Sequence, residues 1–326
     1  ARDDRRGDQA NRNRPKTETG MTNSKRFVIA DVFTEERFGG NQLAVFTDGS
    51  GLDSTAMQNI AREMNYSETT FLLPPERGGD YRVRIFTPAN ELPFAGHPLV
   101  GSAYVIAAER MKQRVEPLTS VTLETGAGPI HIEVITEGGR LGRSTMTQPL
   151  PVGRGPYPDI AGLAKALSLD ASRIEQTGLP VETIFNGIAV MIVPVGSRAA
   201  IENIKVDTGA LERISNEVGA TTVLAFTRDT VLPTSTVHCR VFAPTAGVSE
   251  DAATGSANGP LGFYLVRHKL VEPEATTRIV SEQGYEMKRP SLLYIDVDLD
   301  SATSEVTAVR VGGGVVIAGR GEIFVD

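Results

Sequence analysis

Two similar segments of the chain constrain its fold more than any other feature of the sequence. The first covers residues 84–104 and the second residues 240–264. Each begins with an apolar stretch ending in Phe-x-Pro, continues through an acidic loop, and enters an uncharged stretch at Gly96 or Gly255. A helix that is apolar on all sides is a buried helix. The repetition therefore predicts two similar halves, each with strands around one central helix.

The similarity between the halves extends upstream of these segments. Residues 68–72 (ETTFL) precede the first segment roughly as residues 220–224 (ATTVL) precede the second. Residues 40–45 and 186–191 give a further match. The period is far too long for a solenoid, so we interpret the pattern as a duplicated domain.

Length and local composition suggest the domain boundaries. A chain of 326 residues is longer than one core usually serves, which favours two domains. We expect an N-terminal domain at 25–146, completed by a strand within 312–326, and a C-terminal domain at 147–311. We expect residues 1–24 to form a disordered arm, because the first twenty contain almost no apolar side chains to bury.

Charge and cysteine usage exclude several classes of protein. The net charge of −7 argues against a nucleic-acid-binding surface. No uncharged apolar run approaches the roughly 20 residues that a membrane span needs, and the arm has no apolar core for a signal peptide. A single cysteine, Cys239, cannot form an internal disulfide. The four histidines show no metal-ligand spacing. We therefore expect a cytoplasmic protein with no metal, no nucleic acid and no membrane partner.

The starts of the two central helices are candidate anion sites. Gly96-His97 and Gly255-Ser256 each begin a predicted buried helix, where backbone N–H groups lack partners and the helix dipole is positive. If the two halves are related by a pseudo-twofold axis, both starts face one cleft and can bind a small carboxylate. The alternative is that Gly96 and Gly255 only allow tight turns into the core.

Three side chains near these helix starts are candidates for proton transfer. Glu68 lies where the second half has Ala220, so only one half carries this carboxylate. A buried glutamate has a raised pKa and can act as a general base near neutrality. His97 and Asp251 lie at the entries to the two helices and can share a proton across a cleft. Each also has a structural interpretation: a surface or capping glutamate, a core histidine, and an acceptor near a helix start.

The motifs around these residues resemble the phenazine-biosynthesis PhzF-like isomerase family. The resemblance runs from about residue 27 to residue 325 and rests on four motifs in order: 31–41 (DVF…GGN), 65–71 (NYSETTF), 86–97 (FTP…EL…GH) and 250–257 (ED…TGSA). It implies an α+β, diaminopimelate-epimerase-like fold with two similar domains, each a curved, mostly antiparallel sheet wrapped around a central helix. It also implies a homodimer that uses no cofactor.

The resemblance further implies an activity and roles for individual residues. The best-characterised activity of the family is isomerisation of trans-2,3-dihydro-3-hydroxyanthranilate. Glu68 matches its general base, and His97 and Asp251 match residues that line the site and assist proton relay. The substrate carboxylate is expected near four residues, namely Gly96, Gly255, Ser256 and Asn41.

The sequence also leaves two alternatives to this isomerase. Related epimerases and racemases use two thiols, one before each helix-opening glycine, but this chain has Ala95 and Thr254 there. Because alanine cannot take a proton, the two-base racemase is disfavoured. The other alternative is a non-catalytic member of the fold that binds a small acid or a protein. The sequence departs from the family pattern at Gln42 and Asn258, close to the expected cleft, and leaves the substrate open.

Overall fold

The computed structural model describes residues 23–112, 120–137 and 140–325. The predicted N-terminal arm therefore lies almost wholly outside the described residues. Within them, eighteen strands form one hydrogen-bonded network. None of the helices in these ranges is both long and apolar enough to cross a membrane.

The elements follow one another in a pattern that repeats. The first series is β1 (Ser24–Val32), β2 (Asn41–Phe46), α1 (Ser54–Met64), β3 (Glu68–Leu73), β4 (Tyr81–Phe86), β5 (Glu91–Leu92), α2 (Gly96–Lys112), β6 (Ser120–Thr125), β7 (Gly128–Glu137), β8 (Arg140–Gln148) and β9 (Val152–Pro156). The second series is α3 (Ile160–Ala166), α4 (Ser172–Glu175), β10 (Glu182–Phe185), β11 (Ala189–Pro194), α5 (Arg198–Glu202), α6 (Thr208–Val218), β12 (Thr222–Thr227), β13 (Val237–Ala243), β14 (Val248–Asp251), α7 (Gly255–Arg267), β15 (Thr276–Gln283), β16 (Ser291–Leu299), β17 (Val306–Gly313) and β18 (Val315–Phe324).

Strand pairing shows that the two series share one topology. β2 runs parallel to β3 as β11 does to β12, and β4 runs parallel to β6 as β13 does to β15. The remaining neighbours are mostly antiparallel, as predicted. Each series ends in a strand that pairs with the other: β9 with β10, and β18 with β1. The duplication is thus confirmed, whereas the division into domains at residue 147 stays a prediction.

Equivalent ion pairs mark the same position in both halves. The guanidinium of Arg84 donates two hydrogen bonds of 2.7 and 2.6 Å to Glu91. The guanidinium of Arg240 donates two of 2.8 and 2.7 Å to Glu250. These pairs align β4 with β13 and β5 with β14 residue by residue.

Both central helices are buried, as their lack of charge predicts. α2 is buried along most of its first twelve residues, with Pro98 in its first turn, where a missing N–H is tolerated. α7 is buried over most of its length. Gly101 allows α2 to lie directly on the sheet, since a Cβ there would be 2.6 Å from the Leu43 side chain and 2.7 Å from Val32.

Local patterns in the sequence also predict helices at 53–64 and 158–167 and a strand at 81–86, and these shorter elements are largely confirmed. α1 begins after Asp53, whose side chain accepts a hydrogen bond of 2.7 Å from the amide of Ala56, and β4 has the predicted bounds. α3 is shorter than the predicted 158–167 because Asp159 caps it. The proline-rich segment at 147–155, whose composition suggests a link between the domains, contains most of β9, which pairs with β10. Its role as a link stays a prediction.

Candidate active site

The N-termini of α2 and α7 meet in the middle of the molecule. A Cβ added at Gly96 would lie 3.0 Å from the backbone nitrogen of Ser256, and one added at Gly255 would lie 3.9 Å from that of His97. The two helix starts therefore face each other, and only glycine at position 96 allows this approach without a shift. The positive ends of two helix dipoles converge here, which favours a bound anion.

The start of α7 has no side-chain cap. Thr254 precedes the helix but makes no capping hydrogen bond. Its hydroxyl instead donates to Asp251 Oδ2 at 2.6 Å. No side-chain cap therefore competes with a ligand for the amides of Gly255 and Ser256.

Asn41 connects the two halves at this point. Its Nδ2 donates to Asp251 Oδ1 at 2.7 Å and to the backbone oxygen of Ala253 at 3.0 Å. It also lies 3.3 Å from Nδ1 of His97. The residue is 2% exposed. These contacts make Asn41 a link between β2 and the loop before α7, while its predicted contact with substrate stays a prediction.

Glu68 and His97 face each other beside the helix starts. Glu68 Oε2 lies 3.3 Å from His97 Nε2, and the two side chains are only 15% and 5% exposed. Although close, these two atoms are not oriented for a hydrogen bond, and neither has another partner among the described residues. A buried polar atom without a partner is unfavourable. The pair therefore marks a place where a polar or reacting group of a ligand can fit.

Burial sets the protonation of this pair. Desolvation, together with the charge of Asp251, raises the pKa of Glu68 to about 8. Desolvation lowers the pKa of His97 to about 3, against an opposing hydrogen bond to the backbone of Gln42. The imidazole is therefore neutral at physiological pH, and the carboxyl of Glu68 can both take up and release a proton near neutrality.

Asp251 completes the group of predicted proton-transfer residues. It is the last residue of β14 and approaches Glu68 from the other half. Burial raises the pKa of Asp251, and hydrogen bonds from Thr254 and Asn41 oppose that shift. The structure thus brings together Glu68, His97 and Asp251, as the sequence predicted.

The two halves contribute different groups to the site. Aligned by their arginine–glutamate pairs, the halves place Asp251 level with Leu92, and Ser256 level with His97. Each of these polar side chains therefore occurs in only one half, although the backbone fold is repeated. This asymmetry fits chemistry with one base and not with a pair of bases related by a pseudo-twofold axis.

The counterpart of Glu68 differs from the sequence-based expectation. The residue after Glu68 pairs with Phe86, and the residue after Thr222 pairs with Phe242. The strand register therefore places Glu68 level with Thr222 and not with Ala220. Threonine carries no carboxylate either, so the asymmetry of the site is unchanged.

Gln283 supports the site but carries no sequence motif. Its Nε2 donates to the backbone oxygen of Asp251 at 2.8 Å and to the hydroxyl of Thr254 at 3.1 Å. Its Oε1 accepts from the amide of Thr254 at 3.2 Å. Gln283 ends β15, far along the chain, and only the pairing of β15 with β13 brings it to this loop.

The described residues include no cluster of three or more His, Cys, Asp or Glu that suits a metal ion.

Sequence comparisons identify close relatives of the chain. The family described as phenazine biosynthesis-like protein (PhzC-PhzF) matches residues 30–321. The trans-2,3-dihydro-3-hydroxyanthranilate isomerase of Pseudomonas chlororaphis is 38% identical over 297 residues, covering 91% of this chain and 98% of that protein. The protein of the same name from Pseudomonas aeruginosa is 36% identical over 309 residues, covering 92% of this chain and 99% of its own length.

Solved structures agree with this relationship. A phenazine biosynthesis protein of the PhzF family from Bacillus anthracis superimposes with a TM-score of 0.83 at 26% identity, covering 93% of this chain and 100% of that one. A hydroxyproline epimerase from Agrobacterium vitis gives a TM-score of 0.61 at 12% identity, covering 92% and 91%. The second match shows a shared fold alone. Together they confirm the predicted α+β, epimerase-like fold.

Proposed function

Because the chain belongs to the phenazine biosynthesis-like (PhzC-PhzF) family and is an isomerase, we propose that it moves a proton and a double bond in a small unsaturated carboxylic acid without a cofactor. The observation that carries this proposal is the buried Glu68, held beside the neutral His97 where two helix N-termini meet. Relatives named trans-2,3-dihydro-3-hydroxyanthranilate isomerase make that compound the first substrate to test.

The helix starts bind the substrate carboxylate in this proposal. The amides of Gly96 and His97 on one side, and of Gly255 and Ser256 on the other, donate hydrogen bonds to it. Binding between the two halves excludes water from Glu68 and fixes the reacting carbon beside its carboxylate. Asn41 keeps Asp251 and the loop before α7 next to β2.

Glu68 transfers the proton. Its carboxylate removes a proton from a carbon adjacent to the unsaturated system, and the electron pair of the broken C–H bond shifts the double bond. The protonated Glu68 then returns the proton to another carbon on the same face, so the substrate gains and loses no atoms. His97 and Asp251 line the site, and Asp251 assists by holding the pKa of Glu68 high enough for the carboxyl to give the proton back.

Solvent deuterium tests whether the protein is a catalyst. Incubated with trans-2,3-dihydro-3-hydroxyanthranilate in D2O, the protein is expected to change the absorbance of the compound and to incorporate deuterium at carbon, as mass spectrometry would detect. A non-catalytic binding protein would raise its melting temperature with the compound but exchange no carbon-bound hydrogen. That second result, from folded protein, would overturn the isomerase mechanism for this substrate.

Asp251 is expected to control the pH dependence of the reaction. Glu68 must be ionised to act as a base, so kcat/KM should fall about tenfold per pH unit below about pH 8 and level off above it. In Asp251→Asn the negative charge is gone, and the pKa of Glu68 should be lower. The acid limb of the profile should therefore move to lower pH, although the remaining desolvation keeps it above the ordinary glutamate value.

A matched aspartate variant controls this measurement. Asp207 caps α6 far along the chain, and asparagine is an equally good cap. Asp207→Asn should leave the acid limb in place. An unchanged limb in Asp251→Asn as well would show that Asp251 does not influence the base. His97 should add no limb of its own near neutrality, because its pKa is about 3.

A further inference from the structure

α7 contains a proline where its first turn needs a hydrogen-bond donor. In an α-helix the amide of residue 260 would donate to the backbone oxygen of Ser256. Pro260 has no amide hydrogen and lies inside the helix. The oxygen of Ser256 therefore needs a donor from outside the helix, within the very turn that faces α2.

Two buried amide side chains donate to the backbone oxygens of this turn, and one of them, Asn186, meets this need. Asn186 Nδ2 donates to the Ser256 oxygen at 3.1 Å and to Gln148 Oε1 at 2.8 Å. Gln148 Nε2 in turn donates to the oxygen of Gly255 at 2.9 Å. Asn186 is 4% exposed and Gln148 is 5% exposed. A Cβ at Gly259 would lie 2.0 Å from Gln148 Oε1, so the glycine keeps this face of α7 open for the amide.

The contacts of Asn186 define it as a donor. Both of its neighbours, the Ser256 oxygen and Gln148 Oε1, present acceptors to it, which fixes which end of the amide faces them. Its own Oδ1 is buried with no hydrogen-bond partner among the described residues. The side chain thus leaves its acceptor unpaired while both of its amide hydrogens are used.

These hydrogen bonds act on the peptide groups at the start of α7. The oxygen of Gly255 belongs to the same rigid peptide plane as the amide of Ser256, and the oxygen of Ser256 to the same plane as the amide of Ala257. A donor at the oxygen fixes the orientation of the plane and polarises the N–H on its other side. The amide of Ser256 is the one that lies closest to the start of α2.

We propose that Asn186 and Gln148 are positioning residues for carboxylate binding at the start of α7, with Asn186 replacing the donor that Pro260 lacks. This inference rests on the proposed function, because it assumes that the amides of Gly255 and Ser256 bind the carboxylate. Neither residue touches the substrate. Gln148 holds the peptide group that contains the Ser256 amide, and Asn186 holds the next peptide group through the Ser256 oxygen, so that Ser256 is fixed from both sides.

Binding of anthranilate tests the proposal without depending on turnover. Anthranilate is a stable aromatic acid with a carboxylate beside an amine, so calorimetry can follow its binding to the intact chain. Asn186→Ala should weaken binding by about tenfold, the effect of losing one well-placed hydrogen bond. With the reactive substrate, KM should rise by a similar factor while kcat changes less, because the base is untouched.

Restoring the helix amide separates positioning from simple packing. Pro260→Ala returns an N–H that can donate to the Ser256 oxygen, so Asn186→Ala combined with Pro260→Ala should bind anthranilate within about twofold of the Pro260→Ala protein. If Asn186 only packs its hairpin, the added amide will restore no affinity. Asn203→Ala is the matched control, since Asn203 donates to a helix oxygen of Ala199 at 2.7 Å away from the site. It should leave binding unchanged.

The outcomes distinguish failure of the positioning role from failure of the proposed function. Wild-type affinity in a folded Asn186→Ala protein, or no recovery in the double variant, would overturn the positioning role and leave the proposed function intact. Failure of the wild-type protein to bind anthranilate, or the substrate itself, would overturn the carboxylate site and this inference with it. Circular dichroism and urea unfolding establish that each variant is folded.

Discussion

Replacing Glu68 with glutamine is expected to lower kcat by about 10²- to 10⁴-fold, the usual effect of removing a general base. Glutamine keeps the size and a polar oxygen but cannot take up a proton. The side chain is 15% exposed and lies 3.3 Å from His97, whose pKa of about 3 leaves it neutral. A second carboxylate, that of Asp251, is close enough for its charge to act on Glu68.

The measurement compares wild type, Glu68→Gln and Glu68→Asp under saturating substrate in D2O. Glu68→Asp keeps a proton acceptor one methylene further back, so it should retain more activity than Glu68→Gln, and its deuterium incorporation should follow its rate. Affinity for anthranilate should stay within a few-fold in both variants, because the helix starts are unchanged. A Glu68→Gln protein that isomerises its substrate at more than a tenth of the wild-type rate would contradict the role of this residue.

The sequence predicted the parts of the site that lie close to a helix start or in a short motif. Uncharged stretches after Gly96 and Gly255 indicated buried helices, and these glycines are the first residues of α2 and α7. Glu68 is distinguished in the sequence because the aligned position of the second half carries no carboxylate. A helix period and a glycine are local properties, and local properties are what a single sequence encodes most directly.

Long-range pairing explains what the sequence could not predict. β8 pairs with β17, more than 150 residues away in the chain, and Gln283 reaches the site only through the pairing of β15 with β13. One signal was available: a proline inside a predicted helix implies an oxygen without its usual donor. Pro260 therefore pointed to Ser256, although not to Asn186 as the donor.

A buried ion cluster in the second half is expected to be costly to disrupt, because removal of one partner leaves a buried charge with fewer contacts. His238 is fully buried, with Nδ1 2.9 Å from Glu282 Oε1 and Nε2 2.8 Å from Glu286 Oε1. Burial opposes a charge on the imidazole, but the hydrogen bonds to both glutamates outweigh it and raise the pKa of His238 to about 9. Glu282 also accepts from the amides of Val231 and Leu232, at 2.5 and 3.1 Å.

The first half contains the same glutamate without the histidine. In the strand register, Glu124 of β6 lies opposite Arg82 of β4, just as Glu282 of β15 lies opposite His238 of β13. It accepts hydrogen bonds from three backbone amides, those of Glu76, Arg77 and Gly79. The two glutamates therefore hold equivalent loops, and only Glu282 adds a buried ion pair. This makes Glu124→Gln a matched control for Glu282→Gln.

Glu282→Gln is expected to lower the free energy of unfolding by about 3–5 kcal/mol at pH 6, because it leaves the buried imidazolium with one partner and at least one amide without an acceptor. The pKa of His238 is raised in the folded state, so the ion-pair contribution is complete below about pH 6.5 and is lost as the pH rises through about 9. Urea unfolding of Glu282→Gln at pH 6 and pH 10 should therefore show a smaller loss of unfolding free energy, relative to wild type, at pH 10.

Glu124→Gln should show the same loss of unfolding free energy at both pH values, since no histidine contacts Glu124 among the described residues. An effect of Glu282→Gln that does not change between pH 6 and pH 10 would mean that the backbone amides, and not the imidazolium, account for the stabilisation.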